Sequence, residues 1–344
     1  VSASADAVPI AALTNAPAAS ISNGLISAKL YLPDVHRGFY RGTRFDWAGV
    51  IGSLSYRGHD YYVPWFRAVD PAVRDFVFEN GAVTASPNTA ASGPVEEFND
   101  EGGALGYAQV PPGGVFLKIG VGALRRADAS DYSSFGHYPI VDPGRRTTSI
   151  GPEQIVFTHA LADRGSGYAY RYTKIVRLVP DQPVMLIEHE LHNSGSRPIA
   201  SSVYDHNFLN LDGTGTNAGL ALSTPFTLTA VQPPSPRFAE VAGRRFTYRI
   251  SLVPDQTVAT GFTGFGPGAA DYDFHIVDPS RGAGLRISAD QPMARVQLWS
   301  IRPVMAIEPF LTIKIAPGQS FRWTYRYEFE VPPKNDASPS GNAP

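Results

Sequence analysis

The chain has 344 residues, with 29 Lys and Arg against 31 Asp and Glu, a formal charge of −2. That balance is not that of a nucleic-acid binder, and charged residues at 17% against 43% apolar are not those of a disordered chain. Cysteine is absent, which excludes disulfides, thiolate metal sites and cysteine nucleophiles, and no apolar run approaches the roughly 18 residues of a membrane-spanning helix.

From the N-terminus, residues 1–23 are rich in Ala and Ser and almost uncharged. This is the composition left when an export signal is removed, so the expectation is an exported protein, periplasmic or extracellular, with a loose arm over 1–23. Gly (33) and Pro (30) then punctuate the chain at short intervals and leave little room for long helices. Between them lie runs of period two: Tyr170–Val179, Val184–His192, Phe246–Val253, Gly284–Ala289, Arg295–Ile301 and Phe321–Val331. Turn signals at Pro180-Asp181, Asn193-Ser194-Gly195 and Pro317-Gly318 separate them. In the last run every odd position is apolar or aromatic and every even one polar, a strand with one wet face. No segment sustains a 3.6-residue period, and no repeat of roughly 20 to 50 residues is visible.

Many strands, short turns and no alternation of strand with helix predict an all-β protein, a large antiparallel β-sandwich. Thr84–Gly93 and Gly264–Ala270 are too short to be linkers and read as loops. The expected organisation is one domain over 24–332, with a disordered tail over 333–344 composed of Pro, Ser, Asn and Gly.

The segment Ser201-Ser202-Val203-Tyr204-Asp205-His206-Asn207-Phe208-Leu209-Asn210-Leu211-Asp212-Gly213 sets an imidazole among Asp, Asn and aromatic residues at a strand end. By itself His206 is either a hydrogen-bonded structural group or an acid/base. Glu188-His189-Glu190-Leu191-His192 lies on an alternating strand, so His189 faces away from its two acidic neighbours, and helical His-Glu-x-x-His spacing is missing; no metal is expected. Without a Gly-rich phosphate cradle or a Gly-x-Ser-x-Gly elbow, no cofactor and no serine hydrolase is expected.

Gly167-Tyr168, the two alternating runs after it, the Asn193-to-Pro198 turn and His206-Asn207-Phe208-Leu209-Asn210-Leu211-Asp212-Gly213 together resemble the aldose 1-epimerases (galactose mutarotases). Further matches are Tyr272-Asp273-Phe274-His275, the strand Arg295–Ser300, Met305-Ala306-Ile307-Glu308-Pro309-Phe310 and Pro317-Gly318-Gln319, over about the last 170 residues in the family's order. The resemblance implies a galactose mutarotase-like sandwich and a sugar or oligosaccharide as substrate. It places Glu308 as catalytic base, protonated His206 as acid and Asp273 on sugar hydroxyls. Arg41 or Arg44 would stand for the family's sugar-binding Arg, with Asn207 and Glu97 beside the sugar; Trp299, Trp47 and Tyr107 read either as stacking on a pyranose or, more simply, as core or strand-face residues. The family's Leu-His-Gly-Gly segment is missing. Its nearest counterpart, Gly93-Pro94-Val95-Glu96-Glu97-Phe98-Asn99-Asp100-Glu101-Gly102-Gly103, offers acids where the family has a second histidine. Anomer interconversion needs one base at the anomeric hydroxyl and one acid at the ring oxygen, which Glu308 and His206 would supply. Two other readings stay open: a polysaccharide lyase or glycosidase-type enzyme using the Glu96/Glu97 segment, and a non-catalytic sugar-binding sandwich.

Overall fold

The computed structural model describes residues 6–99 and 103–331. Its frame is two large antiparallel sheets. One has ten strands and carries Gln154–Asp163, Tyr168–Leu178, Val184–Asn193 and Ser320–Glu330 in adjacent positions. The other has six, in the order Thr229–Ala230, Val258–Thr263, Arg295–Ile301, Val304–Ile315, Ile199–Phe208 and Gly93–Asn99. Three smaller sheets come from the first 142 residues. The single parallel pairing among the described residues is the two-residue contact of Ala68–Val69 with Thr84–Ala85. Among the described residues, helix is confined to Ile10–Leu13 and three short 3₁₀ turns.

Period two decides which face each strand buries. In Ser320–Glu330, Trp323, Tyr325, Tyr327 and Phe329 are all within 1% of full burial, while Arg322, Arg326 and Glu328 pair on the outer face. The inward row joins Ile187, Leu191, Val203, Leu298 and Ile307 in the core between the two sheets. Along the strand Ile199–Phe208, every residue from Val203 to Phe208 is buried. Both of its faces are covered: one looks into the intersheet core, and the other lies beneath a second core built around Phe45, Trp65, Phe116 and Phe208. The front half of the chain therefore roofs the outer face of the six-stranded sheet.

Four sequence expectations need correction or fall outside the structure. Residues 8–22 are not a loose arm: Val8–Pro9 pairs with Ala68–Val69, and Ala18–Ser22 pairs with Ile26–Tyr31, burying Ile21. Val1 to Ala5 and the tail 333–344 lie outside the described residues. The expected strand Phe246–Val253 runs only over Arg245–Tyr248, with one further backbone hydrogen bond in register from Arg249 N–H to Phe238 O. The acidic segment after Gly93 is a strand rather than a loop through Asn99, with Glu96 and Glu97 0% and 1% exposed.

Candidate active site

His206 and Glu308 come together. Their strands pair antiparallel with Tyr204 opposite Phe310, and two residues further along the same two strands stand His206 and Glu308. The imidazole Nε2 lies 3.1 Å from Glu308 Oε1, with the two residues 4% and 6% exposed. They form the closed end of a cavity of about 500 Å³ on the roofed face of the six-stranded sheet. Phe208 stacks on the imidazole with ring centroids 3.8 Å apart, and Phe45 and Trp299 meet it edge-on at 5.6 and 5.7 Å. Nδ1 is buried without a hydrogen-bond partner, so aromatic contacts rather than an acceptor orient the ring.

Burial governs both protonation states. It pushes the Glu308 carboxyl up to about 7, with Glu97 adding to the rise and Arg44 and Arg295 opposing it. It drives the His206 imidazole well below its ordinary value, and nearby Arg44 adds to the effect. Burial thus favours the neutral form of each group, against the expected pairing of a protonated His206 with an ionised Glu308.

Arg44 lines the cavity and is rigidly held. Its Nε donates to Glu97 Oε2 at 2.7 Å and Nη2 to the Tyr204 hydroxyl at 3.1 Å, while its guanidinium lies 4.5 Å over the Phe45 ring and 4.8 Å over Phe135. Burial alone would raise the Glu97 carboxyl, but Arg44 and Lys118 hold it at about 2. Glu97 is therefore a permanent anion that anchors Arg44 from behind; it does not line the cavity as a sugar ligand.

Of the remaining predicted residues, Trp299 lines the cavity. Asn207 does not, because it is one residue out of phase with His206: its amide donates to Ile307 O at 2.8 Å and accepts from Tyr327 in the intersheet core. Arg41 is on the surface, bonded to His36 O. Asp273 is on the ten-stranded sheet, where both carboxylate oxygens take hydrogen bonds of 2.7 Å from Arg286. Trp47 and Tyr107 are core residues of the front half. Asp273→Asn is accordingly expected to leave the cavity's activity unchanged and to shift stability by less than about 1 kcal/mol, since it breaks a partly exposed ion pair; a rate assay and a denaturant melt check both.

Several cavity residues were not read from the sequence. Asp75 accepts a 2.7 Å hydrogen bond from Thr89, and burial raises its carboxyl above the ordinary value. Asp75, Thr89 and Phe135 come from front-half loops, where no periodicity marks a facing direction. Gln297 was legible in principle: it is directly opposite Glu308 in the pairing of their strands.

Neither a protein-family model nor a curated protein matches the sequence. Solved structures match in fold. A galactose mutarotase-like protein from Lactobacillus casei superposes with a TM-score of 0.54 at 11% identity, over 91% of this chain and 100% of that one. Another, from Clostridium acetobutylicum, gives 0.53 at 10% identity over 91% and 94%. A protein from Synechocystis gives 0.53 at 12% identity over 92% and 96%. At such identities what is shared is the fold. The chain has the galactose mutarotase-like β-sandwich fold.

Proposed function

We propose that the protein interconverts the anomers of a sugar by acid/base catalysis at Glu308 and His206. The observation that carries this reading is the 3.1 Å approach of two buried proton-exchanging groups, both shifted toward their neutral forms, at the closed end of a cavity. Ring opening requires that the anomeric O–H lose a proton as the ring oxygen gains one. The C1–C2 bond then rotates, and closure on the other face reverses both transfers. The site needs one proton in total. Held on Glu308 with His206 neutral, it can pass to the ring oxygen while His206 accepts the anomeric proton; after transfer across the 3.1 Å gap, the same pair serves with the roles exchanged. Either way the competent state is the singly protonated pair. Exported location remains part of this proposal, on the composition of the first 23 residues.

The other cavity groups suit a sugar. Arg44 offers a preorganised donor to hydroxyls, Asp75 an acceptor and Trp299 an aromatic edge. Asp75 takes the role that sequence assigned to Asp273. Asp75→Asn is expected to raise KM about tenfold with a smaller change in kcat, the loss of one good hydrogen bond to a hydroxyl. Equal KM values in steady-state kinetics on the two proteins would remove Asp75 from the binding set. The function itself is tested by following the optical rotation of freshly dissolved single anomers: catalysed equilibration with unchanged product mass supports it. A product carrying an unsaturated, ultraviolet-absorbing end would instead indicate a lyase.

A further inference from the structure

The cavity is longer than one sugar ring, and the strand register shows where the extra length lies. Glu308 is opposite Gln297, Gln297 is opposite Gly261, and Val231 donates its N–H to Gly261 O at 2.8 Å. His206, Glu308, Gln297, Gly261 and Val231 therefore form one row across the six-stranded sheet, and all five line the cavity. The row covers four strand spacings of about 4.8 Å, about 19 Å in all, roughly twice the reach of a single pyranose with its hydroxyls.

Burial changes steadily along this row. His206 and Glu308 are buried, Gln297 and Gly261 are half-buried, and Val231 is 63% exposed. Arg44, whose charge acts on both His206 and Glu308, lines the cavity together with Phe135 packed against it and with Asp75 and Thr89. At the other end the floor is low, with Gly261 and Ala259 on one strand and the Val231 methyl beside them. The cavity is a trough, blind at the acid/base pair and open past Gly261.

We infer that the substrate is the reducing end of an oligosaccharide chain, with the terminal ring at Glu308 and His206 and the next unit lying over Gln297 and Gly261. This rests on the anomer-interconverting reading and adds the substrate class to it. A blind end admits a chain terminus and refuses internal units. The open end lets the remainder leave the protein, and Gln297 supplies both a donor and an acceptor to the hydroxyls of the second unit.

Equilibration rates for a monosaccharide and for the di- and trisaccharide with the same reducing unit test the inference. In the native protein kcat/KM is expected to rise at least about tenfold from mono- to disaccharide, because contacts remote from the reacting carbon support the transition state. In Gly261→Val the disaccharide-to-monosaccharide ratio falls to about one. The backbone tolerates this change: a Cβ at 261 meets the Val231 methyl at 3.3 Å and no backbone atom closer than 3.6 Å. A ratio near one in the native protein overturns the trough and leaves the anomer chemistry standing. If no sugar is turned over, the function fails, and calorimetry with the same three sugars decides the trough alone. Tighter binding of the longer chains that is lost in Gly261→Val upholds it, whereas equal or absent binding overturns it.

Discussion

On the proposed function, Glu308→Gln and His206→Ala are each expected to slow anomer equilibration by about 10²- to 10⁴-fold, the usual contribution of a positioned proton-transfer group, while the far-ultraviolet circular dichroism stays that of a β protein. The native pH profile follows from the pair's single proton. Below about 7 Glu308 keeps it, and His206, driven well below its ordinary value, does not take a second until much lower pH. Log kcat/KM is thus flat over the weakly acidic range and falls with unit slope as pH rises through about 7. A profile that climbs through 7 would mean that the doubly deprotonated pair is the active one, and the mechanism above would be wrong. The same shift affects stability. Between the ordinary carboxylate range and about 7 the folded chain holds a proton that the unfolded chain has released, so stability falls as pH rises through that window. Glu308→Gln removes this penalty, and at pH 8 it should be more stable than the native protein by about 1 to 3 kcal/mol in a urea melt. The melt tests the raised carboxyl of Glu308, and the rate assay tests its role in proton transfer.

Period-two patterning made the sandwich legible, and with it the facing of His206, because a strand offers only two choices of face. The pairing of His206 with Glu308 was legible through motif order, although they are distant in sequence. Asp273 misled because a short motif carries no information about which sheet its strand joins. On the ten-stranded sheet Asp273 found Arg286 as a neighbour and was neutralised there. Asn207 failed for a reason that the sequence did contain: adjacent residues on one strand cannot both face the same cavity. Asp75 and Phe135 left no trace, since loop residues gain their position from what they pack against. The front half was illegible as a roof because its strands are short and its second core is assembled from many separate segments.

Lys174 carried a signal that could have been read. Tyr170, Tyr172, Lys174, Val176 and Leu178 share one face, so the lysine occupies a core position in an otherwise apolar row. His189 interrupts the inward row Met185, Ile187, Leu191 of the next strand in the same way. A charge in the buried phase of a strand predicts a buried partner. Here the partner is Glu96, from the sheet opposite, which accepts from Lys174 and lies 2.6 Å from His189 Nε2, while the imidazole stacks on Trp323 at 4.4 Å. Glu96 and Glu97, adjacent on one strand, thus face opposite ways. The first ties the two sheets together, and the second anchors Arg44 at the cavity. The acids that replace the expected histidine region are structural on one side and site-supporting on the other.

Lys174→Met is expected to destabilise the fold by about 3 to 5 kcal/mol, the cost of leaving a buried charge without its partner. Lys174 also donates to Ala48 O at 2.9 Å and stands 3.8 Å from Asp46 Oδ2. Burial alone would raise the Glu96 carboxyl, but Lys174 and His189 hold it at about 2, whereas burial leaves Asp46 at about 6 despite the same lysine. Without the ammonium, Glu96 keeps only His189 as a partner, so it stays ionised at a higher desolvation cost or takes up a proton. The sign of the pH effect follows. In the native protein the depressed Glu96 contributes stability above the ordinary carboxylate range that is lost as pH falls toward 2. In Lys174→Met that contribution is gone, so the gap between the two proteins is widest near neutrality and closes as acid protonates Glu96. Urea melts at pH 4 and 7 measure it. Should the single variant fail to fold, Lys174→Met with Glu96→Gln provides the test, because removing both charges leaves no unpaired ion and recovers most of the loss. A double variant no more stable than the single one would mean that Glu96 does not depend on Lys174.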